Sequence, residues 1–420
     1  MFPIVDLAVM VFQSILTVFI NPLFWVVLVL VYNQYKKSCM LEERMLGRVR
    51  YTVWERMAGS IATGLAGGLV GSIVMVAVGV TLDNTGILYV WMIAIALMLI
   101  NPRYMCFSYA GGLLALASLA FGFPRIDVPA LMAIVAILHL VESVLIFFNG
   151  YRHSIPVFLE DKTHGVVGAF NLVRFWPIPI IIMTAIIGQI PPEGSIPMPD
   201  WWPLIKPMGI TGDMEDVMYL MLPVVAALGY SDIAITDTPA RKSRHSAVNL
   251  FAYSIVLLGL AVLSSYHKPL QWLAAIFGPL FHELIIITGR RKQKKGIPLF
   301  VSPASGVRVL DVFEGGAADK MGISAGDIIT GINGRRVERE EDLSAVLEQY
   351  PTFIWVDRTN LDGRSETSEF SQYPTGVNRL DVIVVPRNSS AVTTVVTTAV
   401  EISSPLKRLI KKLRSRRNRA

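Results

Sequence analysis

Two pairs of polar side chains lie within otherwise apolar stretches and could bind a metal ion or carry protons. His282 and Glu283 begin a His-Glu-x-x pattern, but the chain has Ile286 where a second His would complete a zinc-hydrolase motif. His139 and Glu142 are three residues apart, so they would share one face of a helix. We predict an interfacial role for the first pair. The second pair is either a structural contact or a proton relay within a membrane.

Other catalytic chemistry has no recognisable motif in the chain. There is no phosphate-binding loop, no serine nucleophile elbow and no Cys/His spacing typical of a metal site. Cys39 and Cys106 are the two cysteines, and the topology below places both at cytoplasmic faces, where thiols stay reduced. The sequence therefore predicts no catalytic residue, no metal ligand and no cofactor.

The composition indicates a membrane protein. Apolar residues make up 53% of the 420 residues, charged residues only 17%, and the mean hydropathy is +0.52. Soluble chains carry about 25% charged residues. Because a bilayer span needs about 20 mostly apolar residues, we predict about nine helical spans, near residues 12–34, 58–80, 86–100, 104–121, 128–149, 174–190, 215–233, 247–265 and 270–288.

Basic residues orient these predicted spans. The loops at one face hold 13 Lys and Arg, whereas the loops at the other face hold 3. Since Lys and Arg are enriched in cytoplasmic loops, the N-terminus is expected outside and everything after residue 289 inside. No Lys or Arg precedes Lys36, so the basic start of a signal peptide is not found in the first 35 residues. The predicted location is a bacterial plasma membrane, with multiple passes.

The second predicted span has a face of small residues. Ser60, Gly64, Gly68 and Ser72 are four apart, a spacing that lets backbones approach closely. This face could pack within the bundle or join two copies of the chain.

The predicted outer loop 191–214 contains six prolines and the pair Trp201-Trp202. Aromatic residues of this kind are typical of the membrane interface. An external recognition loop is the alternative.

After residue 296 the pattern becomes that of a water-soluble α+β domain. Residues 306–313 alternate as a strand, 319–321 form a short helical piece, and 326–334 form a strand ending in the turn Asn333-Gly334. An amphipathic helix is predicted over 339–349, followed by strands at 353–358 and 380–385.

This string of elements resembles a bacterial PDZ domain over roughly 298–387. Gly326-Asp327 and Asn333-Gly334 match that family's pattern directly, and Gly322-Ile323 stands for its Gly-Leu. The resemblance implies that an extended peptide adds as a strand to a sheet edge. It also implies two sets of peptide-binding residues: a carboxylate-capturing loop, Gly296, Ile297, Pro298, Leu299 and Phe300, and a groove wall, Leu343, Val346 and Leu347. The alternative is that these are only core positions of a domain used for packing.

The end of the chain has the pattern of a membrane-surface helix. Leu406, Leu409, Ile410 and Leu413 share one helical face. Lys407, Arg408, Lys411 and Lys412 lie among them, and the stretch 405–420 carries eight cations and no acid. A basic amphipathic helix favours anionic lipid at the inner leaflet. A tail that binds nucleic acid and a tail that only improves solubility are the two alternatives.

The charges are not spread evenly. Residues 1–289 carry a net charge of −1 and residues 298–387 carry −5, whereas 290–295 carry +5 and 405–420 carry +8. The acidic domain thus lies between two cationic segments. This favours a module held near the inner leaflet and argues against nucleic acid as a partner.

The chain therefore divides into five parts: a transmembrane domain (1–289), a basic linker (290–297), a PDZ domain (298–387), a Ser/Thr/Val linker (388–404) and a basic amphipathic tail (405–420). This order is similar to that of the MinJ-like adaptors of bacterial cell division. The similarity implies a non-enzymatic scaffold with DivIVA-like and MinD-like partners. The alternatives are an intramembrane metalloprotease relative lacking the full zinc motif and a PDZ-regulated transporter.

Overall fold

The protein forms a helical domain with a long β-hairpin inside it, followed by a small α+β domain. A computed structural model describes residues 3–187, 196–209 and 217–387. Its helices are α1 (Ile4–Leu16), α2 (Pro22–Leu46), α3 (Val53–Val78), α4 (Ile87–Ile100), α5 (Phe107–Phe121), α6 (Val128–Asn149), α7 (Pro239–Tyr266), α8 (Pro269–Lys295), α9 (Ala317–Lys320) and α10 (Glu340–Leu347). Its strands are β1 (Ile155–Asp161), β2 (Gly165–Ile187), β3 (Val217–Ala234), β4 (Phe300–Val301), β5 (Val307–Val312), β6 (Ile328–Ile332), β7 (Arg335–Arg336), β8 (Phe353–Thr359), β9 (Ser365–Ser371) and β10 (Val382–Val384).

Four helices among the described residues are long and apolar enough to cross a membrane, namely α3, α6, α7 and α8. The segment Ile4–Ile20 and helix α2 would together make a fifth span, bent by 73° where Pro22 begins α2. Helices α4 and α5 are apolar but have only 14 and 15 residues. The nine predicted spans are therefore not confirmed, whereas a domain with several apolar helices is.

Two of the predicted helical spans are wrong, because residues 174–190 and 215–233 fall largely on strands β2 and β3. These strands pair antiparallel from Phe170↔Ala234 to Ile187↔Val217. An apolar run alone does not distinguish a buried strand from a helix. Pro177 and Pro179, each unable to donate within a helix, are the local signal against helix.

Helix α3 packs against the edge of β2 through its small residues. A Cβ added to Gly64 would lie 2.2 Å from the carbonyl oxygen of Pro177, and one added to Gly68 would lie 2.0 Å from that of Pro179. Only glycine permits so close an approach. The small-residue face predicted from the sequence is thus occupied within the chain, by a strand.

At the edge of β2 that faces α3, several positions either lack a backbone N–H or donate it to a side chain. Pro177 and Pro179 have no N–H, and side chains from the surrounding helices and loops accept from three other amides. The pairs are Phe175 N–H to Tyr35 Oη (3.0 Å), Ile181 N–H to Ser72 Oγ (2.8 Å) and Ala185 N–H to Asp83 Oδ2 (2.6 Å). An apolar surrounding tolerates a strand only when such groups are satisfied.

The helices and strands predicted for the C-terminal domain are all found close to their predicted positions, and the structure adds the short strands β4 and β7. Its six-stranded sheet has the order β10-β5-β6-β8-β9, with β7 paired to β6. Its own apolar core includes Val309, Ile329, Ile354 and Val356, all fully buried. Buried positions alternate with partly exposed ones along β6 and the first half of β8, which explains why periodicity located these strands.

Three predicted segments lie wholly or partly outside the described residues. The linker 388–404 and the amphipathic tail 405–420 are outside them, as are residues 191–195 and 210–214 of the predicted outer loop. The described part of that loop is fixed to the end of α3, because Trp202 Nε1 donates to Val76 O (2.9 Å). Its ring also packs on Tyr219, with ring centroids 4.6 Å apart.

Candidate functional site

The C-terminal domain joins the helical domain, called the membrane domain below after its long apolar helices α3, α6, α7 and α8, through a pair of strands. β4 pairs antiparallel with the start of β2, with Val301 opposite Val167 and Phe300 opposite Gly168. β1 pairs with the same part of β2. Because each strand has two edges, β4 and β1 lie on opposite sides of β2. Phe300 is 1% exposed, and Leu310 of β5 packs on Gly168, so the junction also has an apolar core.

The loop between α2 and α3 (residues 47–52, the α2–α3 loop) contacts the C-terminal domain with charged side chains. Arg48 pairs with Asp381, and its guanidinium lies 3.5 Å from the centroid of the Phe313 ring. Arg50 pairs with Asp311 of β5. Cations of the membrane domain thus meet anions of the acidic domain.

The buried carboxylate of Glu42 binds Arg50 and so holds the α2–α3 loop in place. Glu42 is fully buried near the end of α2 and accepts from Arg50 Nε at 2.6 Å, while its other oxygen pairs with Arg56 of α3. Arg56 is 1% exposed and also donates to Tyr51 O (3.1 Å) and His153 O (3.3 Å). Removing one partner from such a network leaves an unpaired buried charge, which costs about 3–5 kcal/mol.

Burial shifts two titrations at the junction. Burial raises the pKa of Asp311 above its ordinary value, although the neighbouring Arg50 opposes this. Burial and the nearby cations Arg174 and Arg56 lower the pKa of His153 to about 4. His153 is therefore neutral at neutral pH, and its Nδ1 accepts from Arg174 NH1 at 2.9 Å.

Comparison with known proteins identifies the module at this junction. A protein-family model described as a PDZ domain matches residues 308–351. The C-terminal domain is a PDZ domain. A search of curated proteins finds the cell division topological determinant MinJ of Bacillus subtilis (strain 168), which is 20% identical over 392 residues. That match covers 87% of this chain and 93% of MinJ. The chain is thus similar to MinJ over most of its length.

A solved structure also matches the PDZ part. The PDZ domain of an SdrC-like protein from Listeria monocytogenes is 17% identical and has a TM-score of 0.17. The match covers 20% of this chain and 90% of that one.

The residues predicted to bind a peptide lie in two places of the PDZ domain. The predicted capture loop, Gly296 to Phe300, follows α8 directly and ends in β4, whose residues are hydrogen-bonded to β2. The predicted groove wall, Leu343, Val346 and Leu347, lies on α10 with 4–6% exposure and packs into the domain core. The exposed face of α10 consists of Glu340, Glu341, Ser344, Ala345 and Glu348.

Among the residues that the structure describes, His139 is not paired with Glu142, nor His282 with Glu283, although their closeness in sequence suggests such pairs. His139 contacts Cys106 and the ring of His282 rather than forming a hydrogen bond with Glu142 within the described structure. Glu283 pairs with Arg103 and accepts from Tyr109 Oη at 2.5 Å. His282 and Glu283 therefore take part in different contacts: His282 lies beside Cys106, and Glu283 binds Arg103 and Tyr109.

Sequence reasoning treated the basic residues of the α2–α3 loop only as markers of orientation. Arg48 and Arg50 in fact bind the PDZ domain, and Glu42 holds the loop in place. A usable signal was the contrast between this basic loop and the net charge of −5 on residues 298–387. Charge complementarity of this kind orients and positions two surfaces.

Proposed function

We propose that this MinJ-like protein is a non-enzymatic membrane adaptor that presents its PDZ domain to partner proteins at the division site. The observation that carries the proposal is the junction: β4 pairs with β2, while Arg48 and Arg50 bind acids of the PDZ domain. These contacts support a fixed position of the PDZ domain relative to the membrane. DivIVA-like and MinD-like proteins are the proposed partners.

The proposed orientation places the PDZ domain in the cytoplasm. The α2–α3 loop is basic, which favours the inner side of a bacterial membrane. The PDZ domain contacts that same loop through Asp381 and Asp311, so the two must lie on one side.

The proposed ligand is an extended peptide that uses the loop Gly296–Phe300 and the side of α10 bearing Leu343, Val346 and Leu347. Addition of a peptide strand needs a free sheet edge. The proposed capture loop ends in β4, which is paired with β2. A peptide that added as a strand to β4 would compete with that pair. Partner binding would then loosen the junction.

The proposed lipid contact is the tail. Eight cations and the apolar positions Leu406, Leu409, Ile410 and Leu413 favour anionic headgroups, at about 1 kcal/mol per cation. We expect a 296–420 fragment to bind anionic vesicles more tightly than a 296–404 fragment. Equal binding of the two fragments to vesicles would refute this contact.

The adaptor function is tested by imaging a fluorescent fusion in the bacterium of origin. We expect the full chain to concentrate at septa or poles, whereas a variant lacking residues 298–387 stays in the membrane without that concentration. A uniform membrane distribution of the full chain would overturn the proposal.

The partner is tested by photo-crosslinking inside cells. Photoreactive residues at Ser344 and Ala345, the exposed neighbours of Leu343 and Val346 on α10, would report a peptide bound along that helix, and one at Glu369 on β9 serves as the matched exposed control. We expect a division protein to be captured from α10 and not from β9. Capture of the same proteins from both positions would contradict a specific surface there.

A further inference from the structure

Three side chains that commonly bind metal ions converge between the helices of the membrane domain. Cys106 is the residue before α5, His139 lies within α6, and His282 lies within α8. One ligand atom from each residue lies within 4.8 Å of the other two. No two of these residues are closer than 33 positions in the sequence. Their meeting is therefore a product of helix packing.

The distances fit a zinc ion. Zinc binds thiolate sulfur at about 2.3 Å and imidazole nitrogen at about 2.0–2.1 Å in tetrahedral geometry, which puts sulfur and nitrogen about 3.5 Å apart. Cys106 Sγ lies 3.3 Å from His139 Nε2 and 3.8 Å from His282 Nε2. Both sulfur–nitrogen distances are thus within a few tenths of an ångström of the tetrahedral value.

His139 is already oriented as a ligand. Its Nδ1 lies 2.7 Å from the backbone oxygen of Val135, to which a neutral ring donates its proton. The lone pair of Nε2 then faces Cys106. A histidine held by its second nitrogen in this manner is the usual arrangement at metal sites. The side chain is 3% exposed, which restricts its motion.

His282 approaches Cys106 through Nε2, the atom that would bind zinc, and this contact with Sγ at 3.8 Å is longer than that of His139. Its Nδ1 is buried and has no hydrogen-bond partner among the described residues. The imidazole rings of His139 and His282 have centroids 5.0 Å apart and planes inclined by 76°, so the two rings converge without stacking. Tyr253 lies edge-on to both.

We propose that Cys106, His139 and His282 bind one Zn²⁺ and that the ion ties α5, α6 and α8 together. On binding, the Cys106 thiol loses its proton to solvent and the sulfur bonds to zinc, while both imidazoles bind as neutral ligands. A fourth position is left for water. Glu283 is occupied by Arg103 and Tyr109, so the neighbour of His282 is not free to act as a base toward that water. The proposed role is therefore structural, and it is independent of the adaptor function.

The test uses the full chain purified in detergent with an affinity tag that contains no histidine. Zinc is added in slight excess, unbound metal is removed, and bound zinc is measured by mass spectrometry. We expect one Zn²⁺ per chain. Cys106→Ser and His139→Gln should each weaken zinc binding by about tenfold or more, since losing even an outer partner of a ligand costs that much.

Two matched variants serve as controls. Cys39→Ser removes the other cysteine, and His164→Gln removes an exposed histidine paired with Asp161. Both should keep the full zinc content. Wild type with no more zinc than Cys106→Ser, or equal loss in the controls, would overturn the proposal.

A second measurement guards against variants that fail to fold. In the Cys39→Ser background, Cys106 is the one remaining cysteine, so a thiol-alkylating reagent reports on it alone. Zn²⁺ should slow alkylation and a chelator should restore it, with all three proposed ligands still present. Alkylation at the same rate with and without Zn²⁺ would contradict a zinc–sulfur bond.

Discussion

The protein contains two antiparallel β-structures, the PDZ sheet and the β2–β3 hairpin, which differ in what covers their faces. Strands β6 and β8 of the PDZ sheet alternate between buried residues and residues that are at least partly exposed. Strand β2 is instead buried at most positions along its 23 residues, and helices surround it. The PDZ strands could be recognised from alternation, whereas β2 carries no period because its surroundings are apolar on both faces.

The two sheets also differ in how their edges are satisfied. In the PDZ sheet, the strands pair with one another in the order β10-β5-β6-β8-β9, so their backbone groups bond to neighbouring strands. In β2, prolines remove two donors and side chains from the surrounding helices and loops accept from others, among them Ser72 and Tyr35. A strand can therefore lie inside a helical bundle when the helices supply its partners.

The largest expected effect comes from closing the space between α3 and β2. In Gly64→Val with Gly68→Val, each new Cβ would overlap a backbone carbonyl at 2.2 and 2.0 Å. Each clash costs about 3 kcal/mol or more, so the two approach the whole stability of a typical domain, about 5–15 kcal/mol. We expect little folded protein by size-exclusion chromatography. Gly59→Val, with no atom within 4 Å, should behave as wild type.

Removing the buried carboxylate at the junction should have the next largest effect. Glu42→Gln leaves Arg50 and Arg56 partly unpaired and should lower the free energy of unfolding by about 3–5 kcal/mol. It should also make the connection between α8 and β4 (residues 296–299) more sensitive to protease, because Arg50 loses its support. Glu43→Gln, one position along and exposed, is the control. Equal thermal melting of the two variants would show that the network does not hold the junction.

A smaller loss of stability is expected when a serine beside β2 is replaced than when the two glycines or Glu42 are, and a serine of the PDZ sheet serves as the comparison. Ser72→Ala removes the acceptor of the Ile181 amide and leaves that buried donor unpaired, at a cost of about 1–3 kcal/mol. Ser365→Ala on exposed β9 should change stability by less than about 0.5 kcal/mol. Denaturation in mixed micelles measures both. Similar losses for the two serines would mean that the edge of β2 is satisfied in another way.

The smallest predicted effect is a dependence on pH at the junction. The folded protein holds the pKa of His153 at about 4, below the ordinary value of 6.5. A group with a depressed pKa of this kind binds its proton more readily when unfolded, so stability is full above pH 6.5 and falls as pH drops toward 4. We expect a lower melting temperature at pH 5 than at pH 7, measured by differential scanning fluorimetry. The difference in melting temperature between pH 5 and pH 7 should be smaller in His153→Gln than in wild type. An equal difference in the two proteins would contradict this role of His153.

Sequence reasoning predicted the PDZ domain well and the membrane domain only in outline. Residues 306–349 alternate and turn in a pattern that depends on local rules, and the turn Asn333-Gly334 lies where it was predicted. The spans at 174–190 and 215–233 were wrong since length and apolarity do not separate a buried strand from a helix. The predicted groove residues stay a prediction.

The sequence by itself determined the apolar character of the first domain, the PDZ fold and the acidic domain beside basic segments, because composition and short-range periodicity encode them. Only the tertiary structure decided that the glycines of α3 face a strand, that Arg48 and Arg50 bind the PDZ domain, and that Cys106, His139 and His282 meet. The physical reason is distance along the chain: Cys106 and His282 are separated by 176 positions. No local pattern encodes a contact made by the packing of helices that are remote in sequence.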